Sequence, residues 1–139
     1  KLYVDKDIKI DIDIKPKHVE VVGDKRDLES MFYYLLQNSL EALEPEDKYI
    51  RISSDINPSA HNRLDIEIYN TGSLPNVKDT EQLFQPFYST KPYGSGFGLT
   101  IARLAAKKNF GTIEIKPLNI GTKTLLSLPY KRGDSSRDC

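Results

Sequence analysis

Tyr34, Asn38 and Glu41 follow one another at spacings of four and three residues, so on a helix they form a single polar stripe. At about 100° per residue the stripe runs along the edge of the apolar face made by Leu28, Phe32, Leu35, Leu36, Ser39 and Leu43. Polar groups there would line the rim of a pocket beside the core. The side-chain oxygen of Asn38 is a neutral ligand suited to Mg²⁺, which takes oxygen donors and usually substrate phosphates as well. Taken alone, Asn38 reads more often as a surface amide of modest helix propensity.

Three further segments carry chemistry of a compatible kind. Gly94-Ser95-Gly96-Phe97-Gly98-Leu99 leads straight into a second amphipathic segment. Glycines let backbone approach a ligand, and a helix start offers unpaired N–H groups and a positive dipole end to phosphate. The run is neither G-x-G-x-x-G nor the lysine-bearing Walker loop, so those two nucleotide folds are not supported. Just ahead of it, in Leu83-Phe84-Gln85-Pro86-Phe87-Tyr88-Ser89-Thr90-Lys91, the aromatic rings can anchor a loop on the core. Lys91 then reaches a terminal phosphate as a flexible point charge. The competing reading is an apolar plug with a solvated lysine. Finally, Tyr69-Asn70-Thr71-Gly72 closes a strand, where Asn70 can read a base edge or simply belong to an ordinary Asn-Gly turn.

The elements that must position these groups follow from patterning. Ile8, Ile10, Ile12 and Ile14 alternate with charged residues, which predicts a half-buried strand ended by Pro16, and Val19 to Val22 predicts a second. Asp24 is placed to cap a helix, with Asp27 three residues on, and Pro45 to close it. Strands are expected at Tyr49 to Asp55 and Leu64 to Asn70, and a short helical piece at Thr80 to Phe84. A helix from about Phe97 to Lys108, with Gly111 just past its end, and strands at Thr112 to Lys116 and Thr122 to Leu128 complete the order. The expected fold class is α/β: a two-layer sandwich whose mixed, largely antiparallel sheet packs on about three helices. Residues 1–130 form one domain and 131–139 a polar, mobile tail.

Composition narrows the function. Lys plus Arg equals Asp plus Glu at 20 each, so the formal net charge is zero, which argues against a nucleic-acid surface. The single cysteine, Cys139, excludes an internal disulfide and a cysteine metal cluster. No apolar run approaches the roughly 18 residues of a membrane helix, so no membrane contact is expected, and a cytoplasmic setting suits the chain.

In their order along the chain the four segments resemble the N, G1, F and G2 boxes of the histidine-kinase ATPase family. Its superfamily, built on the Bergerat ATP-binding fold, also includes type II topoisomerases, mismatch-repair ATPases and the large heat-shock chaperones. The resemblance runs from Ile8 to Pro129 and is most specific at Phe84–Lys91 with Gly94–Leu99. It is similar to the nitrogen-regulator type of sensor kinase with a short lid. The resemblance implies a catalytic domain that uses ATP and Mg²⁺, with Asn38 as metal ligand and Asn38 and Lys91 as catalytic groups. It implies nucleotide contacts at Glu41, Asn70, Gly72, Thr90, Lys91, Gly94, Gly96, Gly98, Leu99 and, more weakly, Thr122. Its implied partners are phosphoacceptor helices of a dimerisation domain and a response-regulator receiver domain.

Three positions depart from the family pattern: Tyr34 stands at the first Asn of the N box, Asn70 where Asp is usual, and Leu74 at the second glycine of G1. Asn70 carries both an acceptor and a donor, and its amide either turns to present each in turn or is held by Thr122 or backbone. His18 and His61 lack the acidic neighbour expected beside a phosphoacceptor, and both read as solvated surface histidines. A non-catalytic ATP-binding switch or weakened kinase of the same fold is the alternative. A small anti-sigma-type serine kinase is a further rival, which the Phe84–Lys91 box disfavours.

Overall fold

A computed structural model of the chain describes residues 7–72, 80–85 and 97–132. In order these form β1 (Lys9–Ile14), β2 (Val19–Val21), α1 (Lys25–Glu41), β3 (Tyr49–Ile56), β4 (Arg63–Asn70), a 3-10 turn (Thr80–Phe84), α2 (Gly98–Lys108), β5 (Thr112–Pro117) and β6 (Thr122–Arg132). The strands make one sheet of order β1-β3-β4-β6-β2, with β5 also on β6. Among the described residues, only the β1–β3 pair is parallel. Strand β6 is long because it serves two neighbours on one edge, β5 along its first half and β2 at its end. The two-layer, largely antiparallel architecture is the expected one, covered by two helices and the 3-10 turn.

The sheet's core face follows from strand parity. Ile50 on β3, Leu64, Ile66 and Ile68 on β4, Ile113 and Ile115 on β5, and Leu126 and Leu128 on β6 are all buried. Helix α1 adds Met31 and Leu35, and α2 adds Ala102, Ala105 and Ala106, whose small side chains suit the close packing of the two helices. At one end the same face turns polar, with Asn70, Thr122 and Thr124 buried as deeply as the isoleucines.

Asp24 caps α1 by accepting a 2.9 Å hydrogen bond from the Asp27 N–H. The Asp24 N–H itself is satisfied by a residue remote in sequence. Asn109, at the end of α2, accepts from the Asp24 N–H at 2.7 Å and donates to the Asp27 carboxylate at 3.2 Å. One buried amide thus joins the start of α1 to the end of α2.

Three expectations need correction. Strand β1 is exposed along its whole length, with Ile12 at 65 %. It is the outermost strand, and the helices lie over β4 and β5, so its isoleucines extend the core face beyond their cover. Helix α1 stops at Glu41, four residues before Pro45, and Ala42 caps it. The residue that takes the left-handed conformation after α2 is Phe110, with φ 60°. Gly111 is required for closeness instead: a Cβ there would sit 2.6 Å from Leu128 Cδ2 and 2.8 Å from the Ser127 carbonyl. Lastly, β6 continues through Arg132 instead of stopping at Leu128, held there by its pairing with β2.

Candidate functional site

Helix α1 carries Tyr34, Asn38 and Glu41 along one side, Tyr34 and Asn38 half-buried and Glu41 exposed at the last helical residue. Beyond it the Ala42 carbonyl abuts Gly72: a Cβ on Gly72 would come within 1.8 Å of that oxygen. Gly72 also has φ 101°, a conformation side chains resist, so two independent demands converge on glycine. The end of α1 and the end of β4 are therefore in direct contact.

Asn70 closes β4 at 1 % exposure and lies opposite Thr122 on β6. Its Nδ2 donates to the Thr71 carbonyl at 2.6 Å, so backbone and not Thr122 holds this amide. That bond leaves its carbonyl oxygen as the free acceptor edge of the group. Thr122 Oγ1 is committed elsewhere, donating to the Gly72 carbonyl at 3.0 Å. Thr71 locks the same corner from outside: its hydroxyl donates to the Asp47 carbonyl and accepts from the Tyr49 N–H at 3.2 Å.

The third wall is the start of α2. A Cβ at Gly98 would lie 3.0 Å from Tyr34 Cδ1, so the helix start rests on the Tyr34 ring. Its N-cap residue, Phe97, makes no side-chain capping bond. Leu99 is partly buried against the core, and Thr100 Oγ1 donates to the Phe84 carbonyl at 2.7 Å. The 3-10 turn is further pinned by Arg103. Its guanidinium stacks 3.7 Å from the Phe84 ring centroid, binds both Glu81 oxygens at 2.5 and 2.9 Å, and donates to the Ile113 carbonyl at 2.9 Å. The hydrogen bond from Arg103 comes first among the causes that hold the Glu81 carboxyl below its usual range.

The fold thus brings Asn38, Asn70, Gly72, Gly98, Leu99 and Thr122 to one corner between α1, the end of β4, the start of β6 and the start of α2. Thr90, Lys91, Gly94, Gly96 and Leu74 lie outside the described residues. His18, just before β2, and His61, just before β4, are exposed, and the strand starts they precede pair with residues 129–132 of β6, the opposite end of that strand from Thr122. Among the described residues no group of three His, Cys, Asp or Glu side chains is arranged to hold a metal. Sequence reasoning missed Ser39 and Arg103 as parts of this region, and Asn109 at the opposite end of the two helices. A serine on the apolar stripe of α1 was the one visible signal. The partners of Arg103 and Asn109 are set by tertiary packing.

The family model for histidine kinase-, DNA gyrase B- and HSP90-like ATPases matches residues 23–132. The chain belongs to this ATPase family. Among its relatives is the C4-dicarboxylate transport sensor protein DctB of Rhizobium meliloti, 30% identical over 120 residues, covering 86% of this chain and 19% of that protein. The sensory histidine kinase/phosphatase NtrB of Salmonella typhimurium is 30% identical over 129 residues, covering 86% of this chain and 36% of that protein. The chain therefore spans well under half the length of these curated relatives. Among solved structures, the nucleotide-free catalytic domain of histidine kinase ThkA superposes with TM-score 0.75 at 25% identity, over 88% of this chain and 78% of that one. An ATPase domain of this family binds ATP, and no helix among the described residues is long and apolar enough to cross a membrane.

Proposed function

We propose that this chain is the ATP-binding catalytic domain of a two-component sensor histidine kinase, the domain running past residue 130 to the end of β6 at Arg132. It transfers the γ-phosphoryl group of Mg²⁺-ATP to a histidine on separate dimerisation helices, from which a receiver-domain aspartate takes it, in the cytoplasm. The observation that carries this reading is the buried, uncharged polar corner of Asn70 and Thr122 set beside the start of α2, where Phe97 at the N-cap makes no side-chain capping bond. The first suits a base and the second a phosphate chain.

In this reading the Asn70 carbonyl oxygen accepts from the adenine amino group, while Gly72 and Thr122 shape the wall behind it. Gly94, Gly96, Gly98 and Leu99 bring backbone N–H groups to the phosphates, and Thr90 and Lys91 contact them from the preceding loop. The Asn38 amide oxygen fits a hard divalent cation and supplies one ligand, phosphate oxygens and water supplying others, with Glu41 nearby. Bound Mg²⁺ supplies neutralisation of phosphate charge. The protein's own work is positioning, which is what phosphoryl transfer chiefly requires. Tyr34 stands one turn before Asn38, and a phenol is a poor general base for activating water.

Calorimetric titration with ATP tests the nucleotide half of this reading. Binding should require an intact Asn38 for its metal dependence, so Asn38→Ala should bind equally with Mg²⁺ or chelator. Identical binding of the unmutated chain in Mg²⁺ and in chelator would remove Asn38 from the metal.

A further inference from the structure

Strand β1 ends the sheet, and among the described residues its outer edge carries no paired strand. The Lys9 and Lys15 N–H groups donate inward, to the Lys48 and Ser54 carbonyls at 2.9 and 3.1 Å. Backbone groups alternate sides along a strand paired on one edge, so those of Ile10, Ile12 and Ile14 point to the open edge. The side chains of the same residues are 42, 65 and 43 % exposed. They continue the core face outward from Ile50 and Ile52 on β3, with which Ile10 and Ile12 are in register. An edge that is unpaired and apolar on one face is a template for a further strand. At the other end of the sheet β2 has only three residues, whereas β1 has six.

The opposite face of β1 decides which strand fits. Its side chains are Asp7, Lys9, Asp11, Asp13 and Lys15, and charges on an edge usually keep strands apart. Against a second, antiparallel copy of β1 the outcome depends on register. Centred on Ile12, the pair sets Lys9 against Lys15 and Asp11 against Asp13, like facing like. Centred on Ile10, it sets Asp7 against Asp13. Centred on Asp11, it sets Lys9 against Asp13 and Asp7 against Lys15, and every residue from Asp7 to Lys15 is paired. Only Asp11 then faces its own copy, and that carboxylate already accepts a 2.9 Å hydrogen bond from the Tyr49 hydroxyl. On the apolar face the same register brings Ile10 against Ile12 and Ile8 against Ile14. These are the residues whose backbone groups reach across the edge.

We propose that β1 is a self-association edge: two copies of this chain pair antiparallel through β1, centred on Asp11, and join their sheets across a two-fold axis. The isoleucines of both copies form one apolar strip. Strand β3 separates β1 from Asn70 on β4, so the pairing leaves the candidate site open. One strand from each side is a small contact, so association is weak and concentration-dependent. The proposal is independent of the ATP-binding reading.

Sedimentation velocity of the full chain over a concentration series, at low and high salt, tests it alongside Lys9→Asp and Asp13→Lys. The unmutated chain should show a monomer–dimer equilibrium that salt weakens. Each substitution sets like charges opposite at both Lys9–Asp13 positions and should weaken dimerisation about tenfold. Mixing the two variants in equal amounts should restore it, because opposite charges then meet at both positions. A variant that merely fails to fold cannot be restored in this way. Both side chains are exposed, so the variants should melt with the unmutated chain. Should Lys9→Asp melt earlier, having lost the lysine over the Tyr49 ring, Lys9→Glu repeats the exchange with Asp13→Lys. A monomer at every concentration would overturn the proposal and leave the edge to a strand of another protein. Dimers that both variants leave intact would overturn it, and so would folded variants that fail to recover on mixing.

Discussion

The hydroxyl of Thr122, on the first residue of β6, donates a 3.0 Å hydrogen bond to the carbonyl of Gly72, just past the end of β4. The two strands are already paired through Asn70 and Thr122, so this bond extends their union one turn beyond the sheet. It fixes Gly72 against the end of α1, where the Ala42 carbonyl leaves no room for a side chain.

Thr122→Val keeps the shape of that side chain and deletes the donor. A buried carbonyl left without its partner should cost about 1–2 kcal/mol of folding stability, readable in urea unfolding. ATP affinity should fall with it, because Gly72 loses its tether, and Thr122→Ser should restore most of both. Equal midpoints for the unmutated chain and Thr122→Val would show that the bond contributes nothing.

Arg103 should matter more than its surface position suggests. Arg103→Ala removes the stack on Phe84, the paired contacts to Glu81 and the bond to the Ile113 carbonyl together. A loss of about 1–2 kcal/mol is expected. The pH dependence has a definite sign. Glu81 is lowered in the folded chain, chiefly by the Arg103 hydrogen bond, so it binds fewer protons than when unfolded. Its contribution is present above the unfolded carboxylate pKa and is lost as pH falls through the lowered folded value. Arg103→Ala should therefore flatten the acid side of the stability profile, and parallel acid limbs in the two proteins would contradict this.

How much of this was legible beforehand depended on the range of the interaction. The Asp24 cap, the stripe of α1 and the alternation of β4 are local patterns, and each element formed where its pattern lay. Strand β1 shows the limit of such patterns. Its isoleucines alternate as regularly as those of β4, yet whether a face is covered depends on where the helices lie across the sheet. Asn109 and Arg103 reach partners up to 85 residues away, which no spacing rule encodes. Gly111 lies just past α2 where it was expected, but what demands a glycine there is a neighbour on β6, while Phe110 takes the left-handed turn. At the candidate site, Asn38, Asn70 and the glycine-led helix stood out by residue type. The burial of Ser39 was visible only as a polar residue on an apolar stripe.

Asn70→Asp should not be the simple gain that a charged acceptor suggests. The amide nitrogen it replaces lies 2.6 Å from the Thr71 carbonyl, so a carboxylate would set two acceptor oxygens face to face. The variant should lose about 1–2 kcal/mol at neutral pH and regain part of it on acidification, when protonation restores a donor. Because the same tether resists turning of the amide, Asn70 already presents its oxygen, and the unmutated chain should prefer ATP to GTP. Parallel titrations with both nucleotides check this, and equal affinities would show that Asn70 does not read the base.

Transfer to histidine is measured most directly by incubating the chain with ATP labelled at the γ position, alone and with the dimerisation helices of an NtrB-type kinase supplied in trans. The chain alone should gain no acid-labile phosphate, since His18 and His61 are exposed and remote from the corner, and it should hydrolyse ATP slowly with Tyr34 in place of a base. With the helices present, acid-labile phosphate should accumulate on them, and Asn38→Ala should abolish it. Strong labelling of the isolated chain on His18 or His61, or rapid hydrolysis with no labelling of the added helices, would contradict a histidine kinase catalytic domain.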